Sequence, residues 1–125
     1  MSVEKVLIID DDPRNIFALK ATLLARGYAC ITANSALQGI AFLKETNNIG
    51  IVLMDMMMPD MDGYQAIPEI KGIQKRKDIP VLAVTAQAMT GDREKCLQAG
   101  ADDYISKPID VDKLLKVLAN YKITV

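Results

Sequence analysis

Short unbroken apolar runs alternate along the chain with stretches whose apolar residues recur every three or four positions, and the alternation repeats five times. Val6-Leu7-Ile8-Ile9 is uniformly apolar, the pattern of a strand buried on both faces of a parallel sheet. Asp12 and Pro13 then mark a helix start, an acid at the cap and a proline at the first helical position. Ile16, Leu19 and Leu23, with Phe17, Ala21 and Leu24, are expected to run down one side of that helix, and Gly27 ends it. Residues 29–32 predict a second, shorter strand, after which Asn34 or Ser35 caps a helix carrying Leu37, Ile40, Ala41 and Leu43. Residues 51–54 predict a third strand. The turn-rich Pro59-Asp60-Met61-Asp62-Gly63 leads into a helix reaching about Gly72, in which Pro68 removes one backbone hydrogen bond and is expected to kink or split the helix. A fourth strand follows at 80–84, a loop at 85–91, and a short helix at 92–99 stopped by Gly100. Residues 103–106 predict the fifth strand and Lys107-Pro108 a rigid turn. Asp110 caps a last helix with the stripe Val111, Leu114, Leu115 and Leu118.

Five such units in 125 residues, without linker, repeat or low-complexity segment, imply one domain spanning 1–125. Its fold class is α/β, a doubly wound parallel sheet with helices on both faces. Half of the residues are hydrophobic, enough for a core without staples. Fifteen basic residues against sixteen acidic ones leave no basic stripe, so no nucleic-acid surface is expected. The apolar runs fall short of the roughly 18–20 residues of a membrane helix, and the start Met-Ser-Val-Glu-Lys lacks a secretory apolar stretch. The expectation is a cytoplasmic protein with no membrane association. Cys30 and Cys96 stand alone and read as reduced, mostly buried thiols. The chain has no histidine, which removes imidazole acid–base chemistry, most transition-metal sites and a phosphohistidine carrier role.

In an open parallel sheet the ligand site lies beyond the carboxyl ends of the strands. The first predicted strand ends in Asp10-Asp11-Asp12, the third in Asp55, the fourth in Thr85 and the fifth in Lys107. Asp12 is explained as a helix cap; Asp10 and Asp11 continue directly from buried strand residues and are not. Two carboxylates such as Asp11 and Asp55 about 4 Å apart repel by about 4 kcal/mol at an effective dielectric of 20. Either one acid is protonated or a cation binds. An all-oxygen ligand set favours Mg²⁺. Lys107, held between a β-type run and Pro108, is placed to pair with Asp55 or with charge added to it. Thr85 is a strand-ending β-branched residue whose hydroxyl is also able to bond a phosphoryl oxygen. Nucleophile, divalent metal, cation and hydroxyl donor together fit phosphoryl transfer to the Asp55 carboxylate. The Met56-Met57-Met58 run is more often core or loop filler, so its side chains receive no catalytic role. The backbone carbonyl of Met57 is close enough to Asp55 to be a metal ligand.

These residues resemble the receiver domains of two-component response regulators over essentially the whole chain. Leu7-Ile8-Ile9-Asp10-Asp11-Asp12-Pro13 is similar to the family's acidic-pair motif, and residues 53–63 to its phosphoacceptor loop. Val84-Thr85-Ala86 and Ser106-Lys107-Pro108 are similar to its last two motifs. The resemblance implies a flavodoxin-like five-stranded sheet in the order 2-1-3-4-5, with Asp55 as the phosphorylated residue. It implies Asp11 as a direct Mg²⁺ ligand, Asp10 as a ligand through water, and the Met57 carbonyl as a third protein ligand. Thr85 and Lys107 then contact the phosphoryl group, and the Lys107–Pro108 bond is cis. Tyr104 is the implied switch aromatic, following Thr85 inward and remodelling the surface of the fourth helix, fifth strand and fifth helix, which is also a plausible homodimer face. A sensor histidine kinase or a histidine phosphotransfer protein is the implied donor. The positions of Gln87 and Met57 are ones that affect the phosphate lifetime in this family.

Three other classes compete with this signalling module. A haloacid-dehalogenase-type phosphatase, a Mg²⁺-dependent enzyme, resembles Asp-x-Asp, but position 57 is Met and the second acid is missing. A flavodoxin-like cofactor binder needs a first loop that cradles phosphate, which Asp10–Asp12 repel. A receiver-shaped interaction module that no longer accepts phosphate is discriminated only by a labelling measurement.

Overall fold

The computed structural model describes residues 4–86 and 91–123. Its strands are β1 (Lys5–Ile9), β2 (Cys30–Ala33), β3 (Ile49–Asp55), β4 (Val81–Thr85) and β5 (Asp103–Ser106). Its helices are α1 (Pro13–Ala25), α2 (Ala36–Glu45), α3 (Gly63–Lys71), α4 (Asp92–Gln98) and α5 (Val111–Asn120), with a 3₁₀ turn at Gln74–Arg76. All strand pairs are parallel, in the order β2-β1-β3-β4-β5.

The unbroken apolar runs are continuous because both faces of the inner strands are covered. All seven residues of β3 and all five of β4 are buried. Leu7, Ile9, Val52, Met54 and Ala83 point into the core that carries Leu43 of α2, Ile67 of α3 and Cys96 of α4. The alternate residues Ile8, Leu53, Leu82 and Val84 face Leu23 of α1 and Leu114 and Leu118 of α5. Each leucine fully buried in this way contributes about 1.5–3 kcal/mol through removal of apolar surface from water. From β1 the chain leads outward to β2, then returns across to β3 on the other side. This switch point opens a crevice at the carboxyl ends of β1 and β3.

Several local features follow from chemistry visible in the sequence. The Asp12 carboxylate accepts from the Arg14 N–H and Pro13 opens α1, while Ser35 caps α2 by accepting from the Gln38 N–H. Asp62 and Gln65 form a reciprocal capping box at the start of α3. Other features correct the expectations. Phe17, Ala21 and Leu24 do not share the buried side of α1: Phe17 is 76 % and Leu24 51 % exposed, and only Ile16, Leu19 and Leu23 face the core. Residues 16 and 17 are about 100° apart on a 3.6-residue helix, so one flat sheet cannot cover both rows. On α2, Leu37 and Ala41 are likewise exposed, while Ile40 and Leu43 are buried. Pro68 does not split α3, which continues through it to Lys71; the lost bond falls one turn from the helix end, on an exposed face. β3 begins two residues earlier than expected and runs one residue further, so Asp55 is its last residue. Cys30 and Cys96 are both free thiols, Cys96 buried and Cys30 half-buried. Among the described residues no helix is long and apolar enough to cross a membrane.

Candidate functional site

Asp10 continues directly from β1 and Asp55 ends β3, so the switch-point crevice receives one carboxylate from each side. Both are buried, as is Thr85 at the end of β4, whereas Asp11 is exposed at the crevice mouth. One carboxylate oxygen from each of Asp10, Asp11 and Asp55 lies within 4.8 Å of the others. Lys107, following β5, reaches across from the opposite side. Its Nζ lies 3.3 Å from Asp10 Oδ2 and 3.6 Å from Asp55 Oδ2. Its backbone N–H donates to the Thr85 carbonyl over 2.7 Å, which ties the end of β5 to the end of β4, and the Lys107–Pro108 bond is cis.

The loop after β3 is held as closely. Met57 N–H donates to Asp55 Oδ1 (3.1 Å) and Met56 N–H to the Val84 carbonyl (2.9 Å). Gly63 N–H closes back on the Met56 carbonyl, and a Cβ at Gly63 collides with the Met56 side chain, so only glycine lets α3 start this near the strand. On the other wall, Asp10 Oδ1 accepts from the Asp12 N–H, whose own side chain caps α1.

Burial removes hydration that favours the ionised carboxylate, and this is the main reason Asp55 is pushed up to about 6. The Met57 N–H opposes the rise, Asp10 adds to it by like-charge repulsion, and Lys107 opposes it again. One ammonium is thus paired with two of the three carboxylates, Asp10 and Asp55. The donor set is oxygen only, and its charge is incompletely balanced by the protein, which fits a hard divalent cation.

The structure thus gathers Asp10, Asp11, Asp55 and Lys107 into one constellation, with Thr85 at the adjoining strand end. Met57 keeps its backbone in the site, and its side chain is 49 % exposed. Tyr104 stands apart, on the sheet face covered by α2, α3 and α4, where it packs half-buried against that core. Gln87 lies outside the described residues. One feature escaped sequence reasoning, an apolar cleft of about 470 Å³ running from the acids between α1 and the β5–α5 connection. Asn15, Ala18 and Thr22 of α1 face Ile109 and Val111 across it. The available signal was the small residues Ala18 and Thr22 one turn apart, where a larger side chain fills the gap.

A parallel β2-β1-β3-β4-β5 sheet with buried acids and a lysine at its carboxyl edge defines a flavodoxin-like phospho-acceptor architecture. The family model described as response regulator receiver domain matches residues 6–119, and the chain belongs to this family. It is a receiver domain of two-component phosphorelay signalling. The sensor histidine kinase RcsC of Salmonella typhi is 40 % identical over 116 residues, 93 % of this chain but only 12 % of that protein. The polar-differentiation response regulator DivK of Brucella ovis is 33 % identical over 118 residues, covering 94 % of this chain and 95 % of DivK. Among solved structures, the receiver domain of sensor histidine kinase PA1611 from Pseudomonas aeruginosa superimposes with a TM-score of 0.86 at 32 % identity, covering 96 % of this chain and 98 % of that one. That structure has a magnesium ion coordinated in its active-site cleft.

Proposed function

We propose that Asp55 is the residue that accepts the phosphoryl group, from the phosphohistidine of a sensor histidine kinase or histidine phosphotransfer protein. The observation that carries this reading is the buried Asp55 carboxylate, raised to about 6 and held between Asp10 and Lys107 at the switch point. An Asp55 carboxylate oxygen attacks phosphorus, the donor P–N bond breaks, and the new P–O bond leaves an acyl phosphate on Asp55. Asp10, Asp11, Asp55 and the Met57 carbonyl would hold Mg²⁺, which would supply positive charge to the phosphoryl oxygens. Lys107 shifts from the carboxylates to the added phosphate charge, an ammonium–phosphate pairing. The Thr85 hydroxyl donates to a phosphoryl oxygen. Its movement draws Tyr104 inward and changes the α4–β5–α5 surface offered to a downstream protein or a second copy. The position two after Asp55 offers no second acid, which supports an acceptor over a turnover phosphatase.

Incubating the chain with acetyl phosphate and Mg²⁺ is expected to add one phosphoryl group, seen by intact mass, and Asp55→Asn is expected to abolish it. Labelling that persists in Asp55→Asn would falsify the assignment.

A further inference from the structure

The two edge strands of the sheet differ in how they are guarded. β5 carries Asp103 and runs into Lys107, charges that discourage further pairing, whereas β2 is Cys30-Ile31-Thr32-Ala33, with neither charge nor proline. The Ala29 and Ala33 carbonyls accept from the Val6 and Asp10 N–H groups. Backbone groups alternate in direction along a strand, so the N–H and C=O of Cys30 and Thr32 point away from β1. Among the described residues β2 pairs with β1 alone. An apolar strip runs beside this open edge. Asn15, Ala18 and Thr22 of α1 line the cleft towards α5, and Ile16, Leu19 and Leu23 face the sheet. Phe17 and Leu24 lie about 100° further round the helix, on the side of β2. Both are more than half exposed. Lys20 stands between them in the chain, and its ammonium lowers the Cys30 thiol that burial raises. Charge is as uneven as polarity on this side of the molecule. From residue 13 to residue 44 the chain has Arg14, Lys20, Arg26 and Lys44 and no aspartate or glutamate, although the whole chain carries −1.

We propose that the β2 edge and the outer row of α1 form a docking surface for an extended, acidic segment of a partner protein, which adds a strand to the sheet. The backbone of the segment exchanges hydrogen bonds with Cys30 and Thr32, and alternate apolar side chains cover Phe17 and Leu24. Its carboxylates meet Lys20 and the basic residues around it. A second copy of this chain fits less well, because pairing β2 with β2 sets one basic side against another. The surface lies on the far side of α1 from the cleft that leads to the acids, so it is separate from the acceptor crevice and does not rest on the proposed function.

The test uses the isotope-labelled 125-residue chain and the synthetic peptide acetyl-Asp-Val-Thr-Glu-Val-Ile-Asp-amide, followed by nuclear magnetic resonance. Millimolar peptide is expected to slow exchange of the Cys30 and Thr32 amide hydrogens at least about tenfold. The same peptide with lysine in place of each acid is expected to bind at least about tenfold more weakly. Phe17→Ser and Leu24→Ser, at side chains already open to water, are each expected to weaken the acidic peptide at least about threefold. Thr32→Pro removes an outward N–H from an edge strand, where proline is tolerated, and is expected to abolish the protection at Cys30. If Thr32→Pro does not fold, the two serine variants decide. Amides left unprotected by the acidic peptide, equal affinity for the lysine peptide, or affinity unchanged in both serine variants each overturns the inference. Protection that appears without peptide as the chain is concentrated assigns the edge to a second copy and overturns it as well.

Discussion

At the edge where the strands begin, Arg76 is buried and each guanidinium nitrogen has an acceptor: they donate to the carbonyls of Leu43, Thr46 and Ile49, joining the end of α2 to the start of β3. Beside it, Lys71 donates to the Ile79 carbonyl (2.6 Å) and to Asp102 (2.7 Å), and the same Asp102 oxygen accepts from the Val81 N–H. At the edge where the strands end, Asp10 and Asp55 are buried as well, yet the two share a single lysine with Asp11 close by, and Asp55 is driven up to about 6. One edge satisfies its buried charge with its own backbone and side chains. The other leaves an excess of negative charge for something else to satisfy. A buried charge that is paired holds the fold together, and one left short is poised for chemistry.

The largest expected effect lies at the satisfied edge. Arg76→Met strands three carbonyls without their donor and is expected to cost about 3–5 kcal/mol in urea denaturation. A loss below about 1 kcal/mol breaks the contrast between the edges. Substitution at the other edge is expected to act in the opposite sense. Asp55→Asn relieves the repulsion and, without Mg²⁺, is expected to raise stability by about 1 kcal/mol, seen as a higher Tm, while millimolar Mg²⁺ stabilises the wild type and no longer the variant. A wild-type Tm indifferent to Mg²⁺ removes the metal site from consideration.

The smallest effect is a pH dependence. Asp55 holds its proton more tightly folded than unfolded, because its folded value is about 6 and its unfolded value is that of an ordinary carboxylate. Stability from this group is therefore present below the ordinary carboxylate range, declines as pH rises towards about 6, and is gone above it. Metal-free urea titrations between about pH 4 and pH 7 are expected to show this decline in wild type and not in Asp55→Asn. Mg²⁺ is expected to flatten it by favouring the ionised form. A metal-free protein that instead gains stability through this window in an Asp55-dependent way reverses the sign assigned to the site.

The strands and the acidic strand ends were legible because each is written in a local run: Val6–Ile9 and then three aspartates, a β3 run and then Asp55. The caps expected at Asp12 and Asp110 are local too, since a carboxylate reaches an N–H only two or three residues ahead. Two things were not legible. Phe17 and Leu24 follow the helical period as well as Ile16 and Leu23, and only the position of the sheet under α1 decides which row is covered. Arg76 reads as one of several cations between Lys75 and Lys77, and nothing near it in sequence shows that three carbonyls about 30 residues earlier await it.

By itself, then, the sequence determined the order of elements, the residue types at the strand ends and the oxygen-only chemistry they permit, because periodicity and capping act over a few residues. The tertiary structure alone decided that Asp10, Asp55 and Lys107 lie within 3.3 to 3.6 Å across the ammonium, that burial lifts Asp55 towards neutrality, and that Met57 is open while Met56 and Met58 are closed. Those facts depend on distance and desolvation between segments far apart in the chain, which no local pattern encodes.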